Sequence, residues 1–99
     1  MADKWTPDKL IFTGHALRQM FARQIDTAAV RAVVEQGATI ADYADDQPYP
    51  SRLLLAFVDD RPLHVVLGYN QDQRIGYVVT AYSPDPTQWE PDFKTRRAS

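Results

Sequence analysis

Histidine and arginine recur along this chain at points where packing does not require them. In "FTGHALRQMFARQ", His15 and Arg18 stand three residues apart, a spacing that makes the two side chains neighbours on one helical face. At about 100° per residue, the stripe of Leu17, Met20 and Phe21 falls nearly opposite His15. A helix N-terminus offers free amides and the positive end of the dipole, which together suit a phosphate. The plainer reading is a capping-region histidine beside a surface charge. Arg23 is five residues further on, either solvated or paired with Asp26. In "PSRLLLAFV", Arg52 opens an apolar strand. It reads as a rim residue or as an anion ligand at the edge of a sheet, where the planar guanidinium fits phosphate oxygens. His64 sits inside "RPLHVVLGY" and shares a face with Val66 and Gly68. Small neighbours suggest an open surface, and the competing reading is a core histidine satisfied by a carbonyl. Tyr82 ends "VVTAY", where a phenol can hydrogen-bond a substrate or close the core.

Several chemistries are excluded or disfavoured. With no cysteine in 99 residues, disulfides, thiolate catalysis and a Cys-based zinc site are excluded, and the expected home is a reducing cytoplasm. The two histidines are far apart and no HExxH pattern occurs, so neither a metal nor a cofactor is expected. No glycine-rich phosphate loop is present, and Ser51 with either histidine gives no hydrolase elbow. The formal charge is -2 and the pI about 5.5, which counts against a broad nucleic-acid-binding face. The charge is nonetheless segregated. Asp42, Asp45 and Asp46 cluster in one loop, and Lys94, Arg96 and Arg97 cluster near the end. The start, "MADKWTPDK", lacks the apolar stretch of a signal peptide. No apolar run approaches the roughly 20 residues that cross a bilayer, so no membrane partner is expected.

The elements that must position these residues follow from periodicity. The length predicts one domain over residues 1–99, with a polar lead-in at 1–8 and an irregular, proline-rich tail at 84–99. "DKLIFT" is a short strand or an extended approach to the first helix. Thr13 caps a helix from about His15 to Gln24, with Leu17, Met20 and Phe21 as its buried stripe. Asp26 or Thr27 caps a second helix that buries Val30, Val33 and Val34, and Gly37 ends it as a left-handed stop. From about residue 38 to 82 the pattern alternates as strands do. The connectors "DDR" and "NQDQ" are short enough for antiparallel hairpins. The expected fold is α+β: two N-terminal helices packed on one face of an antiparallel sheet of three or four strands. The sheet residues beneath the helices are expected to include Leu53, Leu55, Leu63, Val65 and Val79, or the residues that alternate with them. The other face is left for a ligand.

"FTGHALRQMFARQI", "YPSRLLLAFV", "RPLHVVLGY" and "VVTAYSPDPTQWEPDF", taken in that order and spacing, resemble domain-of-unknown-function family 4258 from about Leu10 to Phe93. Two positions depart from its pattern: Gln19 precedes Met20 where the family often has Arg, and Gln24 stands where Gly is frequent. The family is similar in layout to bacterial messenger-RNA-cleaving toxins of the RelE and ParE type. The resemblance implies a toxin-like, metal-independent ribonuclease of a toxin–antitoxin system. Its partners would be an antitoxin protein and RNA or the ribosome. Such chemistry needs a base, an acid and cations for the phosphorane charge. On this reading His15, Arg18, His64 and Tyr82 are the catalytic set, and Arg23, Arg52 and Ser51 hold the substrate. The alternative is a non-catalytic protein-interaction module with a toxin-like fold. A homodimer formed through the edge of the last strand is compatible with either.

Overall fold

The computed structural model describes residues 4–98. Seven elements follow in order: β1 (Lys9–Phe12), α1 (Gly14–Arg23), α2 (Thr27–Gln36), β2 (Ala38–Tyr43), β3 (Ser51–Val58), β4 (Arg61–Asn70) and β5 (Ile75–Tyr82). The expected helices precede the sheet, but the sheet has five strands, in the order β1-β5-β4-β3-β2. It is also mixed. "KLIF" forms an outer strand parallel to β5, with Phe12 opposite Val78, while every other pairing is antiparallel. From β1 the chain crosses over the sheet as α1 and α2 before re-entering at the far edge as β2. Over residues 75–78 the last strand is therefore an inner strand, with no edge there for a homodimer to use.

Local sequence explains the boundaries. The Thr13 hydroxyl accepts from the Ala16 amide at 3.1 Å and donates to the Val78 carbonyl at 3.0 Å. One side chain thus starts α1 and ties it to β5. Asp26 accepts from the Ala29 amide at 2.8 Å and starts α2. Between the helices, Gln24 takes the left-handed conformation (φ 59°, ψ 40°), and the Ile25 amide donates to the Met20 carbonyl at 2.9 Å. Gly37 ends α2, but not as a left-handed stop: its φ is -71°. Its reason is space, because a β-carbon there would run into the carbonyl of Val33 and crowd that of Leu55. The β3–β4 hairpin turns through Asp59 and Asp60, both at positive φ, as a two-residue turn requires.

The two helices cover one face of the sheet. Ala16 and Met20 from α1 and Val30, Val33 and Val34 from α2 pack with Leu54, Leu63, Val65, Leu67, Val78 and Ala81. This corrects the expected stripe of α1. Ala16 and Met20 face the sheet, whereas Leu17 is 46 % exposed and Phe21 88 % exposed. The face is rotated because α1 packs along β5 while α2 covers β3 and β4, so among the described residues no element packs on the outer flank of α1. The β3 residues beneath the helices are Leu54, Ala56 and Val58. Leu53 and Leu55 are also buried, but on the opposite face, in register with Val66 and His64. Val79 is exposed because the β4–β5 register shifts around it, with Leu67 opposite Val78 and Val66 opposite Thr80.

Candidate functional site

The tail is what makes the second face of the sheet. Residues 84–98 form no helix. Trp89 and Arg96 pair in an isolated antiparallel bridge, and the Asp92 carboxylate accepts from the Lys94 and Thr95 amides at 2.9 and 3.1 Å. The folded-back segment lies over the end of the sheet where His64 pairs with Tyr82 and Leu55. Trp89 is buried there, its ring 4.7 Å from that of His64 and nearly perpendicular to it, and Phe93 meets Phe57 edge-on.

His64 is completely buried. Its Nε2 lies 2.8 Å from the Phe93 carbonyl, and its Nδ1 lies 3.3 Å from the Tyr82 hydroxyl. A carbonyl only accepts, so Nε2 carries the hydrogen. Nδ1 is then the acceptor, and the Tyr82 phenol donates to it. Burial lowers the imidazole below its ordinary value of 6.5, partly opposed by the bond to Phe93, and the ring is neutral at pH 7. Burial raises the Tyr82 phenol, the Tyr43 phenol raises it further, and Arg96 opposes them.

Outside this buried pair is an open cleft lined by Arg23, Tyr82, Ser83, Asp85, Gln88, Trp89 and Arg96. Two elements and the tail converge there. Arg23, in the last turn of α1, donates from Nη1 to the Ala81 carbonyl at 2.9 Å, which fixes its guanidinium beside the end of β5. Arg96 lies over the Trp89 ring at 5.2 Å, a favourable placing for a cation on an indole face. Among the described residues neither arginine is within ion-pair distance of a carboxylate. Asp85 accepts from the Thr87 amide and hydroxyl, both at 2.8 Å, which holds its carboxyl below the usual range. The cleft thus offers two uncompensated guanidinium groups, a protonated phenol and an occupied carboxylate, which suits an anion with oxygen acceptors.

The seven residues singled out in the sequence do not all meet. Tyr82 and Arg23 share this cleft, and His64 stands directly behind Tyr82. His15 and Arg18 are exposed on α1 and do not line it. Arg18 borders the exposed groove of Leu17 and Phe21 instead. Arg52 is on the helix side of the sheet, its guanidinium 4.0 Å from the Trp5 ring centroid and its Nε 3.6 Å from Asp42. Ser51 is buried on the tail side but at the other end of the strands, donating to Asp46 at 2.5 Å. Sequence reasoning missed Arg96 and Trp89. The available signal was a basic cluster and two aromatics in a segment without periodicity. It indicates that the tail docks but not where.

Among the described residues no group of three or more His, Asp or Glu side chains is placed to hold a metal ion. No described helix is long and apolar enough to cross a membrane. No curated protein and no solved structure matches the chain. A family model does match, over residues 12–83. That segment contains the whole of α1 to β5 with Arg23, His64 and Tyr82, and it stops just short of the tail that brings Arg96 and Trp89. The match spans most of the 99 residues, and the chain belongs to the family described as domain of unknown function, DUF4258.

Proposed function

We propose that this protein is a toxin-like, metal-independent endoribonuclease that takes an RNA phosphodiester into the cleft of Arg23, Tyr82 and Arg96. The observation that carries the reading is the grouping, around a phenol hydrogen-bonded to a neutral, buried histidine, of two arginines that among the described residues are in no ion pair with a carboxylate. Arg23 and Arg96 hold the phosphate and stabilise the charge of the phosphorane. The ribose 2′-oxygen attacks phosphorus, and its proton passes to the Tyr82 oxygen as the phenol hands its own proton to His64 Nδ1. The imidazolium so formed keeps its Nε2–H bond to the Phe93 carbonyl. The bond from phosphorus to the 5′-oxygen breaks, and that oxygen takes a proton from solvent, to which the cleft is open. The products are a 2′,3′-cyclic phosphate and a 5′-hydroxyl. Tyr82 is the residue that touches substrate, and His64, sealed by Trp89, acts through it.

The test is cleavage of RNA, free and ribosome-bound, by purified protein with chelator present. Tyr82→Phe is expected to slow cleavage roughly 10²–10⁴-fold, and the rate of the wild type to fall only on the acid side of the ordinary histidine range, where His64 charges. Wild-type protein inert on both substrates points to the second reading, a non-catalytic interaction module with a toxin-like fold. The exposure of Phe21 and Leu17 on α1 favours that reading; an antitoxin protein is a candidate for the partner that covers them.

A further inference from the structure

Four of the five tyrosines gather on the sheet face that the helices leave free. Tyr43 is in register with Ser51, Ser51 with Gly68, and Gly68 with Tyr77. Tyr82 and His64 occupy a further row of the same face. Tyr49 is added from the loop between β2 and β3, its ring parallel to that of Tyr77 within 5° at a centroid distance of 5.4 Å. The fifth, Tyr69, meets the Trp5 ring at a tilt on the helix side and has a packing role.

Around the Tyr49–Tyr77 pair is a pocket whose other walls include Asp46, Pro48, Ser51, Gly68 and Val79. Its construction is not that of a core. Gly68 leaves the floor without a side chain. Ser51, only 3 % exposed, donates to Asp46 Oδ2, and the Asp46 amide donates to the Tyr43 carbonyl at 3.1 Å, so the carboxylate is held in place at the rim. The Tyr49 hydroxyl accepts from the Asn70 side-chain amide at 3.3 Å. A flat apolar wall, an open floor and one oriented carboxylate acceptor match a nucleobase that stacks through its ring and donates from an exocyclic amino group. Tyr77 and Tyr82 are five residues apart on β5, about 15 Å along the strand, so the pocket and the cationic cleft lie along one face at a separation that a short single strand can bridge.

We infer that the Tyr49–Tyr77 pocket is a base-binding subsite, which takes an amino-bearing nucleobase of the single-stranded RNA whose phosphate occupies the Arg23–Tyr82–Arg96 cleft. The inference rests on the proposed function and makes its substrate specific: unpaired RNA, read at one base by stacking and by Asp46. Burial and the adjoining Tyr49 phenol both raise Tyr77 above its ordinary value, so the Tyr77 ring stays uncharged at the pH where RNA would bind.

The test is equilibrium binding of a fluorescent 2′-O-methyl single-stranded RNA, which cannot be cleaved by attack of its 2′-oxygen, compared with an abasic strand of equal length. Wild-type protein is expected to prefer the base-bearing strand. Tyr49→Leu, used once its unfolding midpoint is shown to match that of the wild type, is expected to weaken that strand roughly ten-fold or more and to leave the abasic strand unchanged, since stacking of one base on an aromatic is worth that much. Asp46→Asn is expected to change the order of preference among strands of different base. Arg96→Ala is expected to weaken both strands alike. If Tyr49→Leu binds as the wild type does while Arg96→Ala is weakened, the base subsite is overturned and the phosphate cleft stands. If wild-type protein binds neither strand, the reading of the cleft falls and the subsite falls with it.

Discussion

The two faces of the sheet are built on opposite principles. Beneath the helices the buried cluster is apolar, with the half-buried Arg52 on Trp5 beside it: Val30 and Val33 close on Leu54, Val65, Leu67 and Val78, all but Leu54 without any exposure. The face beneath the tail also buries leucines, Leu53 and Leu55, but it interleaves them with His64 and Ser51, both fully paired, and with phenols at each end. Burying a polar group and supplying its partner contributes little net stability compared with an apolar group of the same volume. The tail face therefore holds imidazole, hydroxyl and phenol groups in fixed positions where the helix face holds only apolar ones in its buried cluster. On the proposed reading, the helix face holds the fold and the tail face carries the chemistry.

The largest expected effect tests the helix face. Leu67 has no exposure and touches both the helices and the floor of β5. Leu67→Ala is expected to cost about 2–5 kcal/mol, read as a lowered midpoint of urea unfolding. A loss of less than about 1 kcal/mol would mean that the helices slide to fill the gap and that this face is not the rigid one.

A second effect belongs to the tail face and depends on pH. His64 is lowered by burial, so the folded protein resists a proton that the unfolded chain accepts at the ordinary value. The stability this confers is complete above about pH 6.5 and is lost as pH falls toward the lowered folded value. The unfolding midpoint of the wild type is therefore expected to drop between neutral pH and pH 5. In His64→Gln, which can keep a hydrogen bond but cannot titrate, that part of the drop should vanish even though the variant is less stable throughout. Parallel pH profiles for the two proteins would mean that His64 is not sealed by the tail.

Much of this arrangement could be read in the sequence, and the part that could not has identifiable causes. The alternation in "SRLLLAFV" and "RPLHVVLGY" correctly separates the faces of β3 and β4, and the Asp59–Asp60 turn follows from connector length. Thr13 and Asp26 cap where their side chains predict. Which face of an alternating strand meets the helices is a different matter. Leu53 and Leu54 are equally apolar, and both are buried because both faces are covered. The four residues of β1 are too few to show a period. Val79 breaks the alternation of β5 by a register shift, which depends on the partner strand. In the candidate site, residue type picks out Tyr82, Arg23 and His64, but Arg96 joins them only because the tail folds back across the sheet. His15 and Arg18 satisfied the same chemical argument and stand elsewhere, since helical spacing alone does not say what lies opposite a helix face.

Gln24 sharpens the comparison from the helix side. It turns the chain between α1 and α2 at φ 59°, a region that costs a residue with a β-carbon roughly 1–2 kcal/mol. Glycine removes that cost but gives up more entropy on folding. Gln24→Gly is expected to stabilise by about 0.5–1 kcal/mol, with no change in RNA binding because the side chain is exposed and stands outside the cleft. A destabilised variant would show that the Gln24 side chain makes a contact that outweighs the backbone.

The smallest expected effect is the most discriminating. Phe21 reads in the sequence as part of the buried stripe of α1, where truncating an aromatic costs about 3–5 kcal/mol. At 88 % exposure the ring has almost no contact to lose, and Phe21→Ala is expected to change unfolding stability by less than about 0.5 kcal/mol. The substitution also replaces an aromatic by the best helix former, which offsets what little packing is lost. The same variant separates the two functional readings. A ribonuclease working through Arg23, Tyr82 and Arg96 should cleave as fast without the ring, because Phe21 does not line that cleft. An interaction module that uses the outer flank of α1 should lose its partner while its stability stays unchanged. Measured stability near wild type together with full cleavage leaves the tail face as the working surface. A loss of several kcal/mol would mean that the flank of α1 is covered in solution, and that the helix side is less purely a scaffold than its packing implies.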